Sequence, residues 1–301
     1  MSTTPLVTCV VVAFHRPDPL ARSLTLLSHP DVEVVVVNVE DDPAVADVAA
    51  GFAVPLTANL GYAAAVNLGA SLARGPVVVF LNDDARVDAE AALSLAATVS
   101  SDEADVVLPS VLDGQGRWEP TIAALPRPLT LFREWFLLPD EPPAFLRRRA
   151  SGVQKWRAPV VPERVDAAAA TVVAVSTELL REIPLPEEYF LYWEESDWFW
   201  HLRAAGVRVL YDPRVTVRHA GGRDDVRPAK SRLMARNAVR CVRRTQGRAA
   251  ALLAWLVVIL WNFRLAAVDG LRGLAGSRPA AARFPARAAG LAAAVLAWRE
   301  V

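Results

Sequence analysis

Cysteine is nearly missing from these 301 residues: there are two, Cys9 in an apolar run and Cys241 in a basic segment. A pair so placed builds neither a disulfide framework nor a zinc site, and it suits a reducing cytosol. Net charge is missing too, with 33 Lys and Arg balancing 33 Asp and Glu. No overall field therefore draws the chain to nucleic acid. No basic residue precedes the first apolar run, Leu6–Phe14, and His15-Arg16-Pro17 follow at once. That run reads as a first strand and not as a signal peptide. Glycines are absent where a dinucleotide fingerprint would place them, just after that strand, which argues against an oxidoreductase. The same gap removes the Gly-rich, Lys/Arg-bearing loop that a nucleotidyltransferase would show there. No internal repeat is present.

What the chain has in quantity is apolar residues, 53% against 22% charged. That is enough for a sizeable core and argues against disorder. Its length suits one large α/β domain, or one domain with a helical appendage. Residues 6–14 and Val32–Val39 read as short, buried, β-branched strands. Between them Leu20, Leu24 and Leu27 fall at helical spacing. Asn59 to Ala73 reads as a loop entering a helix, and Val77 to Leu81 as a further strand. Such alternation predicts a mostly parallel sheet with right-handed crossovers. In these sheets ligands gather beyond the carboxyl ends of the strands. The residues that matter are then Phe14-His15-Arg16, Asn38 to Asp42, and Asn82-Asp83-Asp84. Residues 113–165, rich in Pro, Arg and aromatics, read as an irregular insertion ordered in part by its partner. Val165 to Val175 reads as a strand, Glu187 to Ala205 as a turn entering a helix, Val207 to Tyr211 as a short strand, and Lys230 to Arg248 as a basic helix.

Asp83 and Asp84 directly follow an apolar strand. Adjacent acids there seat a hard divalent cation, Mg²⁺ or Mn²⁺, which takes its remaining ligands from phosphates and water; they also suit a plain polar turn. Tyr192-Trp193-Glu194-Glu195-Ser196-Asp197-Trp198 crowds three acids among aromatic rings. Burial beside rings raises carboxyl pKa values, as a general base requires. Glu194 and Asp197 equally suit a helix start, which leaves Glu195 the less structural of the three. His219 lies ahead of Gly221-Gly222 and could complete a metal site. Asn59-Leu60-Gly61-Tyr62, with Asn67 beyond it, could bring backbone amides close to a nucleotide. Arg232, Arg236, Arg240 and Arg243 share one helix face; such a stripe is usually just solvated, and it also suits the phosphates of a ligand or of lipids. Ala249–Trp261 is apolar for thirteen residues, then Asn262 and Arg264 interrupt. A spanning helix needs about 20 residues, so this run is short. Its tryptophans and arginines suit a helix lying in a membrane interface, or one packed against protein.

In order, VVVAFHRPDPL, ANLGYAAAVNLGA, FLNDDARV, YFLYWEESDWFWHLRAAGVRVLYDP and VRHAGG followed by RLMARN resemble the motifs of the inverting family 2 glycosyltransferases of glycosyltransferase-A fold. The resemblance covers roughly residues 6–245, and the Asn-Leu-Gly loop and Trp-Glu-Glu segment look most like bacterial rhamnosyltransferases of cell-wall or polysaccharide assembly. It implies a catalytic domain over 1–245, with a nucleotide-sugar half 1–112 and an acceptor half 113–245, and a helical extension 246–301. It implies that Glu195 deprotonates the acceptor hydroxyl, and that Asp84, with His219 as a further ligand, holds the metal. Phe14, His15, Arg16, Asn38, Glu40, Asn59, Gly61, Asn67, Asn82 and Asp83 would line the nucleotide-sugar site. Trp193, Glu194, Asp197 and Trp198 would face the acceptor. The implied partners are a UDP- or dTDP-linked donor, a glycan or polyprenyl-linked acceptor, the inner membrane face and a second copy of the chain. Three positions depart from the family pattern: Asn38-Val39 replaces Asp-Asn, Glu195 stands where Asp is commoner, and alanines fill 167–170. The competing reading is a catalytically silent nucleotide-binding scaffold.

Overall fold

The computed structural model describes residues 4–56, 58–137, 158–220 and 226–300. They form two compact units. One holds the described residues of Met1–Ala123, Gln154–Phe190 and Trp198–Gly221, and the other those of Ala124–Val153, Leu191–Asp197 and Gly222–Val301.

The first unit is built on a sheet flanked by helices, as the alternating pattern predicts, but the sheet is mixed where a mostly parallel one is expected. Strands β1 (Val7–Ala13), β2 (Val32–Val39), β3 (Ala53–Leu56) and β4 (Val77–Asn82) are mutually parallel in the order β3-β2-β1-β4. β1 is buried along its whole length, as an apolar β-branched run covered on both faces must be. Beyond β4 the parallel rule breaks. β10 (Val172–Ser176) inserts antiparallel between β4 and β6 (Val106–Leu112). β11 (Val209–His219) then runs parallel to β6 and pairs antiparallel with β5 (Ala85–Arg86) and β8 (Glu163–Arg164). Two short strands, β7 (Ile122–Ala123) and β9 (Ala167–Ala168), pair separately.

Helices α1 (Pro17–Leu26), α2 (Pro43–Ala49), α3 (Tyr62–Leu72), α4 (Ala89–Ser100) and α6 (Thr177–Glu182) belong to this unit. α3 seats so closely on the sheet that a Cβ on Gly69 would lie 2.3 Å from Val10 Cγ1. Only glycine permits that approach.

The second unit is helical: α5 (Pro128–Phe132), α8 (Pro228–Gln246), α9 (Arg248–Leu274) and α10 (Arg278–Leu296), closed by a short 3₁₀ turn. α7 (Glu194–Ala204) starts at the segment that groups here. The helical part thus begins before residue 246, because the buried face of α8 (Ala235, Ala238, Val239) clusters with Val258 of α9 and Ala294 of α10. The apolar run ending at Trp261 also proves to be part of a longer element, 27 residues from Arg248 to Leu274. Asn262 and Arg264 do not stop it: the Asn262 amide donates to the Val258 carbonyl, 2.8 Å away, and Arg264 lies over the Trp261 ring. By length and composition, α9 and the segment Arg278–Arg299 could each cross a membrane, and only 28% of each apolar window is buried. Of the insertion, residues 138–157 lie outside the described part.

Candidate functional site

Register fixes a first candidate cluster in the sheet unit. Ala13 pairs with Asn38, and Val12 with Asn82, so β1, β2 and β4 end together. Phe14–Arg16, Asn38–Asp42 and Asn82–Asp84 therefore share one sheet edge. Asp83 and Asp84 are both buried there. The Phe14 amide donates to Asp83 Oδ2 at 3.4 Å, and Arg16 Nη1 donates to Asp84 Oδ2 at 2.8 Å. The Ser23 hydroxyl, from α1, donates to the carbonyl of Ala85 at 3.1 Å and pins this turn.

His219 arrives from the far end of the chain through the β5–β11 pairing, in which it lies opposite Ala85. Its Nε2 is 3.3 Å from Asp84 Oδ1 and its Nδ1 is 3.1 Å from Glu119 Oε2. Burial pushes the Asp84 carboxyl up, but the His219 and Arg16 contacts outweigh it and hold the group at about 2. Asp84 and Glu119 in turn lift His219 to about 9. Burial pushes Asp83 up to about 6, the Arg16 charge and the Phe14 amide offsetting only part of the rise. Glu119 lies in the Pro- and Arg-rich stretch, where no pattern singles it out.

Asp84 and His219 meet here with Asp83 beside them, oxygen and nitrogen donors of the kind a divalent cation such as Mn²⁺ accepts. Among the described residues no group of three or more His, Cys, Asp or Glu could hold a metal alone. The donor set therefore suits an ion completed by phosphate oxygens and water.

Around this edge the remaining residues separate into two kinds. His15 Nε2 lies 2.9 Å from Glu40 Oε2, its Nδ1 meets Asp42, and the Asn59 amide donates to Glu40 Oε1 at 3.2 Å. This polar rim stands exposed at the strand ends, with Phe14 beside His15. Asn38 and Asn67, by contrast, spend their side chains on the fold. Asn38, itself buried, donates to the Asp42 carbonyl and accepts from the Asp42 amide, shaping the turn that Asp42 continues as the N-cap of α2. Asn67 ties α3 to Leu185 and Glu187. Asn82 closes β4 and accepts no such duty, its amide reaching the Thr171 carbonyl at 3.4 Å.

Gly61 holds the Asn59 loop at φ +99°, and a Cβ there would meet the Phe190 carbonyl oxygen at 2.1 Å. Gly61→Ala is expected to lower stability by about 3 kcal/mol, from left-handed strain plus overpacking. Denaturant unfolding measures this, and an unchanged midpoint would show that the loop moves aside.

A second candidate cluster belongs to the helical unit. Tyr192 (φ +70°) and Trp193 (φ +77°) are consecutive left-handed residues just before α7. Such backbone costs about 1–3 kcal/mol per residue and persists only where neighbours impose it. Asn237, fully buried on α8, imposes it here by donating to the carbonyls of Leu191 (3.0 Å) and Tyr192 (3.2 Å). The turn delivers Glu194 and Glu195 to the first turn of α7. Burial and the neighbouring Glu195 raise Glu194 to about 8, and burial raises Glu195 as well. The RLMARN segment thus carries a constraint, Asn237, that sequence reading did not single out.

Trp193 lines a cavity of about 260 Å³ with Trp135, Trp261, Lys230, Asn262 and Arg287. Asp197 and Trp198 do not share that role. Asp197 has no exposed surface and accepts from Arg244 Nε at 2.7 Å. Trp198 is core in the first unit, edge-on to Phe80 and donating Nε1–H to the Ile183 carbonyl at 2.7 Å. Neither offers an acceptor a free face, because helical phase turns both inward.

Residues 8–154 match the sequence profile described as Glycosyl transferase family 2. No curated protein matches the chain. Among solved structures, GalNAc-T7 with UDP, GalNAc and Mn²⁺ superposes with a TM-score of 0.56 at 18% identity, covering 79% of this chain. This chain spans 48% of that one, about half its length. The mannosyltransferase PcManGT from Pyrobaculum calidifontis, in complex with GDP-Man and Mn²⁺, superposes with a TM-score of 0.56 at 16% identity, covering 98% of this chain and 87% of that one. The fold is the glycosyltransferase-A fold, extended by C-terminal helices.

Proposed function

We propose that this chain is an inverting, metal-dependent glycosyltransferase that moves a sugar from a nucleoside diphosphate to an acceptor hydroxyl by single displacement. The observation that carries the reading is the meeting of Asp84 and His219 beside Asp83, at the edge where three parallel strands end. Asp84 and His219 would hold the cation, with Asp83 beside them. Bound there, a divalent ion offsets the charge that grows on the departing diphosphate.

The chain's own groups do the rest. Arg16 presents a guanidinium whose fork suits phosphate oxygens. Phe14, His15, Glu40 and Asn59 form the rim for the nucleoside, and Gly61 keeps its loop close. Glu195 takes the acceptor proton, its carboxylate made more basic by burial. Trp193 offers an aromatic plane for a sugar face. The cavity it shares with two further tryptophans, Lys230 and Arg287 suits a glycan or polyprenyl-linked acceptor. Donor candidates are UDP- and dTDP-linked sugars, rhamnose among them. The exposed apolar faces of α9 and α10 support attachment to the cytoplasmic membrane surface.

A thermal-shift screen of nucleoside diphosphate sugars with Mn²⁺ or Mg²⁺ tests the reading. One donor should raise Tm by several degrees, and only with metal, following mass action. A shift without turnover on any acceptor would favour the silent nucleotide-binding alternative. No shift across the panel would overturn the transferase assignment.

A further inference from the structure

The sequence is neutral as a whole, yet residues 226–300 carry fourteen Arg and Lys against two acids, Asp269 and Glu300. Part of this charge is spoken for. Arg244 pairs with Asp197, and Arg283 and Arg287 share Asp269. Arg232, Arg236 and Arg299 are placed differently. They line one groove of about 510 Å³ whose other walls are Ala229, Leu233, Ala293, Leu296 and Ala297.

Three guanidiniums around an aliphatic trough are costly for a protein to assemble. Like charges repel, and among the described residues that line the trough there is no acid to offset them. Close by in the chain, Val295, Leu296 and Trp298 stand more than half exposed, and Trp298 packs on Trp255. Along α9, Leu253, Leu260, Phe263, Leu271 and Leu274 are also more than half exposed. The chemistry wanted by such a place is a phosphodiester joined to acyl chains.

We infer that the groove formed by Arg232, Arg236 and Arg299 binds the headgroup and upper acyl region of an anionic phospholipid of the bilayer. This rests on the membrane-surface reading above and adds to it a defined site and a lipid charge. Arginine fits because its planar fork grips phosphate oxygens while its stem lies on apolar surface. A diffuse basic surface would answer only to total charge. A built groove answers to which arginines are present.

The test uses the full chain in two arms. In the first, calorimetry follows binding of dihexanoylphosphatidylglycerol below its critical micelle concentration, with dihexanoylphosphatidylcholine as the comparison. In the second, cosedimentation is measured with vesicles of phosphatidylcholine alone or mixed with phosphatidylglycerol. Arg232 and Arg299 are exposed, so Arg232→Glu/Arg299→Glu leaves the core untouched. Arg272→Glu/Arg278→Glu makes the same charge change where α9 ends and α10 begins, Arg278 lying about 27 Å along α10 from Leu296.

The short lipid should bind saturably with one-to-one stoichiometry. The groove pair should weaken it at least about tenfold, and the control pair by about twofold or less. Equal losses in the two pairs, equal affinity for the choline lipid, or no saturation with the wild type would overturn the groove. If the wild type also ignores every vesicle, the membrane-surface reading falls with it. If it binds glycerol-lipid vesicles while the groove pair changes nothing, only the groove falls.

Discussion

Glu195→Gln is expected to reduce transfer about 10³-fold or more while leaving nucleotide-sugar affinity within about twofold. Glutamine keeps the size and polarity of the side chain but cannot take a proton, and a positioned base contributes 10²–10⁴. The donor-side residues are untouched by the change, so thermal shift with donor and metal should persist. The pH profile adds a second reading. Burial raises Glu195, and burial with the Glu195 charge raises Glu194 to about 8. A raised carboxyl is protonated and idle at low pH and becomes a base as pH climbs through its titration. Wild-type kcat should therefore rise toward alkaline pH, with apparent values that belong to the pair and not to either residue. In Glu195→Gln that rising limb should vanish. Turnover that survives the substitution, or a limb that stays in place, removes Glu195 from the proton transfer.

Asp84→Ala should abolish the metal dependence of donor binding. Wild-type affinity for the donor is expected to fall about a hundredfold when EDTA is added, the size of a lost cation–diphosphate contact worth about 3 kcal/mol. The variant should bind weakly and equally with and without EDTA. Asp84→Asn is nearly isosteric and should behave the same way, which separates loss of charge from loss of packing. Titration calorimetry reads both. Equal wild-type affinities with and without chelator would refute the role given to Asp84.

Much of this was legible in order along the chain. β1, β2 and β4 announce themselves as short β-branched runs, and the polar residues after each mark the ligand edge. The tight turns were less so. Val165 to Val175 reads as one strand but divides into β9 and β10, with Ala169 and Ala170 lying in neither. Val207 to Tyr211 reads as a short strand but continues to His219, because the register shift around Asp212 and Pro213 lets β11 resume its pairing with β6. Pro213 lacks an amide to donate, so its place at that irregularity follows from its chemistry.

Sequence alone determined that there would be a parallel edge, an acid pair at its rim and a Trp-Glu-Glu turn far downstream. These depend on local pattern: apolar period, strand length, and the chemistry of neighbours in the chain. Only the tertiary structure decided which polar groups are spent on the fold. Asn38, Asn67, Asp197 and Trp198 look no different in sequence from residues that meet a ligand, yet each is consumed by a partner 4 to 120 residues away. It also decided that His219 would lie between Asp84 and Glu119, the latter a hundred residues away in the chain. Hydrogen-bond saturation and burial are properties of what surrounds a side chain. No single-chain pattern encodes them, because the surroundings arrive from elsewhere in the chain when it folds.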